Sequence, residues 1–222
     1  MTLFDEPTSL RGIAIGAALA AATLYILSFF QPYWQVTLLA PQYPDGLTVE
    51  IFLDHLTGDV REIDGLNHYI GMAPLGEAAQ LERSIAAWAI GGLSLFVVAA
   101  ALIRHRIVML GATLASVAFP LAFMADSFYW LYTFGNNLDP RAPINLDPFT
   151  PTLLGAGKVG QFETFAGPQL GFWLAVAAAL LTTASWLLVR RARHLDEGDQ
   201  TPREEPTGDR ESTAPAHRLA AE

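Results

Sequence analysis

The apolar residues of this chain fall into four long blocks, with no spacing typical of amphipathic helices or strands. The blocks lie at 13–30, 85–103, 107–128 and 170–189. A helix of about 20 apolar residues is long enough to cross the hydrocarbon core of a bilayer. The pattern therefore predicts an all-α membrane protein with four transmembrane helices.

The first block is predicted to be a retained membrane anchor and not a cleaved signal peptide. Its apolar run is longer than the roughly 7 to 15 residues of a signal-peptide core. Asp5 and Glu6 also precede it, where a signal peptide carries basic residues. We therefore expect this block to remain in the membrane.

Arginines at the ends of the blocks predict the orientation. If the chain crosses four times, the flanking arginines share one side: Arg11, Arg104, Arg106, Arg190, Arg191 and Arg193. Cytoplasmic segments carry an excess of Lys and Arg, so both termini are predicted to be cytoplasmic in the inner membrane of a bacterium. The opposite helix ends carry indole rings, which favour the headgroup region: Trp34, Trp88, Trp130 and Trp173.

The predicted spans divide the chain into six segments. These are the cytoplasmic N-terminus with the first helix (1–31), a first extracytoplasmic loop (32–84), a helical hairpin (85–128), a second extracytoplasmic loop (129–169), the fourth helix (170–190) and a cytoplasmic tail (191–222). The tail has almost no large apolar residue and is predicted to be disordered.

The two outer loops are predicted to differ in structure. In the first loop, residues 47–53 are rich in β-branched and aromatic side chains, and a Thr-Gly-Asp turn separates them from 60–63. This pattern predicts a small β-hairpin, which is too weak to stand alone and should pack on the second loop or on a partner. The second loop is rich in proline, so we expect it to be ordered without regular secondary structure.

Composition and charge exclude some kinds of site and some classes of partner. Of the 222 residues, 52% are hydrophobic and none is cysteine, which excludes disulfides, thiolate nucleophiles and thiolate metal sites. Acidic residues dominate the first loop, so nucleic acid is not an expected partner. The expected partners are the lipid bilayer and another membrane or periplasmic protein.

The sequence carries no motif of a common enzyme class. A phosphate-binding glycine loop, a nucleophile elbow and a paired-histidine zinc helix are all missing from the 222 residues. We therefore expect no enzymatic activity. A small-molecule permease is also disfavoured, because the chain has no internal repeat and few polar groups within its spans.

His68 and Met72 are the candidate metal ligands. They are four residues apart and would share one face of a helical turn, and Met124 near the outer end of the third helix could join them. Imidazole and thioether suit Cu(I), so we expect at most transient copper and no permanent cofactor. The alternative is that Asn67 and His68 cap a short turn while Met72 packs against the base of the loop.

Asp126 is the candidate polar residue within the membrane. A carboxylate at that depth is costly and is therefore a functional candidate. The alternative is that Asp126 lies near enough to the interface to be hydrated or to pair with Arg141.

Both outer loops resemble a known family. The stretches Gly-Leu-Asn-His-Tyr-Ile-Gly-Met at 65–72, 130–144 and Phe-Thr-Pro-Thr at 149–152 are similar to small four-helix proteins of the bacterial inner membrane. That family is associated with gene clusters for copper enzymes of the nitrous oxide reductase type. The candidate partner-binding residues in these stretches are Asn67, Tyr69, Asn137, Asp139 and Arg141.

The resemblance implies an accessory or assembly factor for a periplasmic or membrane copper-dependent respiratory enzyme, acting through its outer loops. The alternative is a structural subunit of a membrane protein complex, with no metal site.

Overall fold

The structure is a computed structural model that describes residues 7–40, 42–159 and 162–199. Helices make up most of this part of the chain: α1 (Pro7–Phe29), α2 (Val60–Ile70), α3 (Gln80–Ile103), α4 (Arg106–Asn136) and α5 (Leu170–Asp199), with a short 3₁₀ turn at Leu75–Glu77. The strands are β1 (Trp34–Ala40), β2 (Tyr43–Ile51), β3 (Leu56–Gly58), β4 (Gly155–Val159) and β5 (Phe162–Pro168).

Four of the described helices, α1, α3, α4 and α5, are long and apolar enough to cross a membrane. This confirms the predicted number of transmembrane helices. The expectation of a purely all-α protein is wrong, because the segments between the spans form a five-stranded sheet. Helix α4 continues to Asn136 and α5 to Asp199, beyond the predicted ends at 128 and 190. The tail predicted to be disordered comprises residues 191–222; residues 191–199 instead continue α5, and residues 200–222 lie outside the described residues.

Small side chains pack α1 against two other helices of the bundle. Helix α1 packs along α5 and, to a lesser extent, along α3. Ala18 and Ala21 of α1 and Ala175 and Ala178 of α5 are fully buried between the helices. Small residues let helix backbones approach closely where the solvent is lipid and the hydrophobic effect between helices is weak. The hydroxyl of Ser185 adds a hydrogen bond to the carbonyl of Ala14, at 2.8 Å.

The bundle has two distinct ends. Arg104 and His105 form a tight turn between α3 and α4, in which Arg104 adopts a left-handed conformation (φ +57°). Helix α1 begins and α5 ends on this side, which we call the turn end. The opposite side carries the sheet and is called the sheet end. The six arginines that flank the predicted spans all lie at the turn end.

The sheet joins the two outer segments. Its strand order is β3-β2-β1-β5-β4, and all neighbours are antiparallel. The central pair links β1 from the first segment to β5 from the second, with Thr37 opposite Phe165. This pairing confirms the prediction that the two loops pack on each other.

The hairpin predicted within the first loop is confirmed for its first strand and wrong for its second. Residues 47–51 do form a strand, β2, but its hairpin partner is the preceding β1, and residues 60–63 begin α2. The reason lies in the spacing of Val60, Ile63 and Asn67, which places all three on one helical face. Ile63 packs with Leu47 and Val49 in a small core under the sheet.

The second loop is irregular in its proline-rich part, as predicted, but it also contains two strands that were not predicted. Residues 138–154 have no regular secondary structure, as the prolines predict, but β4 and β5 follow them. The irregular segment is attached to the end of α4. Phe149 donates its N–H to the carbonyl of Gly135 at 3.0 Å, and a Cβ at Gly135 would overlap the Phe149 carbonyl.

Tyr33 connects the sheet to the helix bundle. It is fully buried, its ring lies 5.0 Å from that of Phe123, and its hydroxyl shares a 2.7 Å hydrogen bond with Ser28. Its backbone accepts from Gln169 and donates to Ile51. Burial raises the pKa of Tyr33 far above its ordinary value, so the phenol stays neutral in the folded protein.

Candidate functional site

An exposed surface forms where the end of α2 meets the proline-rich segment. We call residues 68–72 and 137–144 the loop platform. Asp139 donates its N–H to the carbonyl of Gly71 at 2.8 Å, and Ile144 donates to Tyr69 at 2.9 Å. These bonds hold an irregular segment in place without a strand or a helix of its own.

Gly71 makes this junction possible. It ends α2 in the left-handed conformation (φ +78°), with its N–H directed to the carbonyls of Asn67 and His68. A Cβ at this position would lie 2.7 Å from the carbonyl oxygen of Asp139. Glycine is therefore required both by the backbone angle and by the close approach of the second segment.

The polar side chains of the platform are ordered by local bonds. The carboxylate of Asp139 accepts from the backbone N–H of Arg141 at 2.9 Å and from its Nε at 3.3 Å. These bonds hold the pKa of the Asp139 carboxyl below its usual range. Arg141 thus pairs with Asp139, and the alternative pair with Asp126 does not form in the described structure.

Four of the five candidate partner-binding residues lie exposed on the platform: Tyr69, Asn137, Asp139 and Arg141. The fifth, Asn67, lies on the opposite face of α2 and is buried. Its side chain points beneath the platform.

The structure brings together two of the three candidate copper ligands. His68 and Met72 line one shallow depression at the edge of the platform, together with Asp139. Met124 lies on α4 and does not line this depression. Among residues 7–40, 42–159 and 162–199, no three His, Asp or Glu side chains form a group that could hold a metal ion.

A cavity of about 400 Å³ lies between the sheet and the sheet-end halves of α3 and α4. Its roof is one face of the sheet, because alternate residues of a strand point the same way. Trp34, Val36 and Leu38 of β1 form part of this roof. Asn67 and Met72 border the cavity from the side of α2, so Met72 lies between the cavity and the depression that holds His68.

Two buried polar atoms that line the cavity have no hydrogen-bond partner among the described residues. They are Nδ2 of Asn67 and Oγ1 of Thr164. Asn67 is 7% exposed and Thr164 is 5% exposed. The indole of Trp130 also lines the cavity and interacts with the carboxyl of Asp126. An unpaired buried polar group destabilises a protein by about 1–3 kcal/mol, and native structures leave few of them. Two such groups around one cavity therefore call for an explanation.

Acidic side chains also border the cavity. Asp126 of α4 and Glu82 of α3 are both lining residues. Asp126 and Trp130 are four residues apart and so share one face of α4. Arg83 also lines the cavity, and its guanidinium donates to the carbonyl of Gly76. The polar side of the cavity therefore carries two carboxyl groups and one guanidinium.

Sequence reasoning identified Asp126 but missed the cavity around it. Trp130 was expected only as an interface anchor, and Thr164 lies in a strand that was not predicted. Residues 162–166, Phe-Glu-Thr-Phe-Ala, do not alternate between polar and apolar side chains, and their aromatic and β-branched residues are the available signal for that strand.

Comparison with protein-family models finds no family that matches this chain. A search of curated proteins likewise finds no match.

Proposed function

We propose that this protein is a non-enzymatic accessory or assembly factor of the bacterial inner membrane that binds a partner protein through the loop platform. The observation that supports it most is the order of this surface. A proline-rich segment without regular structure is held by backbone hydrogen bonds to Tyr69 and Gly71 of the first segment and to Gly135 at the end of α4.

An ordered loop surface is suited to binding another protein. A segment that is already fixed loses little conformational entropy on association, so more of the contact energy appears as affinity. The platform also exposes a tyrosine and an arginine, two residue types that contribute much of the binding energy in protein interfaces. Tyr69 is 55% exposed, and the side chain of Arg141 is exposed too. Both side chains would lose water contact under a partner.

The arginines support a periplasmic position for the platform. All six that flank the spans lie at the turn end, which the positive-inside rule places in the cytoplasm. Both termini would then be cytoplasmic, and the sheet, the platform and the cavity would face the periplasm.

A copper-dependent respiratory enzyme is the proposed class of partner. The resemblance of the two outer segments to a family from copper-enzyme gene clusters supports this. The shared depression of His68 and Met72 supports it too, since imidazole and thioether bind Cu(I). Two ligands leave coordination positions open for the partner, which suits transfer of copper more than storage.

The alternative is a structural subunit that uses the same platform and binds no metal. The position of Met124 favours this alternative, because the third candidate ligand does not line the depression of His68 and Met72.

The test is recovery of the partner from native membranes. The tagged full-length protein would be crosslinked in cells, purified in detergent and analysed by mass spectrometry and metal analysis. Replacing Tyr69 and Arg141 together by alanine should abolish recovery of the partner. The control is Arg61→Ala, an exposed arginine of α2 outside the platform.

Equal recovery of the same partners by the double variant and by the control would overturn the platform as the binding surface. A partner that is recovered through the platform but has no link to copper would support the structural alternative.

A further inference from the structure

We propose that the cavity between the sheet and the helices α3 and α4 binds a neutral lipid of the quinone class, a planar carbonyl head with a hydrocarbon tail. Four observations support this inference: the depth of the cavity, its lateral opening, its unpaired hydrogen-bond donors and its charge. Each is independent of partner binding at the loop platform.

The first observation is depth. At about 1.5 Å per residue, about 20 residues counted from the turn at Arg104 reach the far side of the hydrocarbon core. On α4 that count ends close to Asp126. Ala86 and Ala89 of α3 and Phe119 of α4 line the cavity below this level. The cavity therefore extends from the outer part of the hydrocarbon core up to the sheet.

The second observation is the opening. Ile85, Ala89 and Ala122 line the cavity and are also exposed, Ile85 by 48%. They lie on α3 and α4, so the cavity is accessible between these two helices, on the side that faces the bilayer. A molecule dissolved in the membrane would enter here without crossing water.

The third observation is the set of unpaired polar atoms. The amide Nδ2 of Asn67 is a donor, and the hydroxyl of Thr164 can also donate. Both require a partner inside the cavity, whereas the indole of Trp130 has the carboxyl of Asp126 as its partner. Carbonyl oxygens of a quinone ring are neutral acceptors, and their binding would remove the penalty of leaving these donors unpaired.

The fourth observation is charge. Asp126, Glu82 and Arg83 border the cavity, and the guanidinium of Arg83 is bonded to the carbonyl of Gly76. A phosphate or carboxylate head would therefore meet two carboxyl groups of its own sign against one guanidinium. A neutral head avoids this repulsion. The wall is also rich in aromatic rings, which pack well against a planar ring. They include Trp34, Phe119, Phe123, Trp130, Phe134 and Phe149.

The size of the cavity agrees with this ligand class. Small-molecule sites commonly occupy about 300–1,000 Å³. A cavity of about 400 Å³ holds the head and the first part of the tail. The rest of the tail would leave through the opening between α3 and α4 into the bilayer.

The test uses purified full-length protein in lipid nanodiscs, titrated with decylubiquinone while tryptophan fluorescence is recorded. Two indoles, those of Trp34 and Trp130, lie in the cavity wall, so bound quinone should quench them in a saturable way. Asn67→Leu keeps the volume of the side chain but removes the donor, and it should raise Kd about tenfold, the equivalent of about 1.4 kcal/mol. The matched control is Asn145→Leu, the same change at an exposed loop position, which should leave Kd unchanged.

Thermal stability separates loss of the donor from loss of the fold. Without ligand, Asn67→Leu should be at least as stable as the wild type, because a buried unpaired amide is removed. Quenching that never saturates, or that is the same in the wild type and in Asn67→Leu, would overturn the site.

A second measurement tests the ligand class. Lipid extracted from the wild-type protein purified from native membranes should contain quinone, and Ala122→Trp, which fills the opening, should lose it. Co-purified phospholipid that is lost in Ala122→Trp, with no quinone in the wild type, would overturn the assignment to a neutral carbonyl head.

Discussion

Single residues decide whether the two outer segments form one surface. At Gly71, a left-handed backbone conformation coincides with contact from Asp139. Gly71→Ala should destabilise the protein by about 1–3 kcal/mol, since it adds both backbone strain and a clash. It should also raise protease cleavage between residues 137 and 154.

The matched control for this substitution is Gly76→Ala, at a glycine in the 3₁₀ turn where a Cβ would meet nothing within 4 Å. Thermal unfolding in detergent and limited proteolysis measure both effects. Equal stability of the two variants would show that the junction tolerates a side chain and that the platform is held by other contacts.

The candidate site could be predicted in part at this scale. His68 and Met72 do line one depression, but the predicted helical spacing is not the reason, because α2 ends at Ile70 and Met72 follows the left-handed Gly71. Asn67 was assigned to the partner surface although it is buried. Its place in the cavity follows from its position four residues after Ile63, and that relation is visible only once 60–70 is recognised as a helix.

Copper binding is tested residue by residue. The purified protein should compete with a chelator for Cu(I), and His68→Ala and Met72→Leu should each weaken this binding at least several-fold, because each removes one of two soft ligands. Met124→Leu should bind as the wild type does, since Met124 does not line the depression. Equally weak binding by the wild type, His68→Ala and Met72→Leu would exclude the site and favour the structural-subunit alternative.

At the scale of elements, the sequence predicts the helices far better than the sheet. A span is encoded within about 20 consecutive apolar residues, so each can be read locally. The sheet depends on β1 pairing with β5, which lies beyond α2, α3 and α4 in the chain. Residues 60–63 also contain β-branched side chains that suit a strand, but the contact of Ile63 with the core under the sheet favours the helix.

The pairing of β1 with β5 can be tested with cysteines, because the chain contains none. Thr37 lies opposite Phe165, and directly opposed residues of an antiparallel pair have Cα atoms about 4.5–5.5 Å apart, within the roughly 4.4–6.8 Å that a disulfide spans. The double variant Thr37→Cys with Phe165→Cys should therefore crosslink under mild oxidation, giving a mobility shift on non-reducing gels.

The control for the crosslink pairs Thr37→Cys with Glu163→Cys, two residues along the same strand face. There the diagonal separation is about 7–8 Å, and crosslinking should be much slower. Equal rates in the two double variants would contradict the register of the sheet, and no crosslink in either would contradict the pairing itself.

At the scale of the whole molecule, the sheet, the platform and the cavity all lie at one end of the bundle. Tyr33 connects this end to the helices, through ring contacts with Phe119 and Phe123 and backbone bonds to Ile51 and Gln169. The loop platform and the cavity share Met72. A partner on the platform and a lipid in the cavity would therefore lie within contact of the same side chain.

The orientation of this end is the last prediction. The six arginines lie at the turn end, so the turn end is predicted to face the cytoplasm and the sheet end to face the periplasm. Single cysteines in the cysteine-free chain report on each side: Asp45→Cys at an exposed position near the start of β2 and His105→Cys in the exposed α3–α4 turn. In spheroplasts, a membrane-impermeant maleimide should label Asp45→Cys at once and His105→Cys only after the membrane is permeabilised. Labelling in the reverse order would place the platform in the cytoplasm and overturn the proposal of a periplasmic partner. Labelling of both sites in intact spheroplasts would mean that the chain does not cross the membrane between them, which contradicts the span assigned to α3.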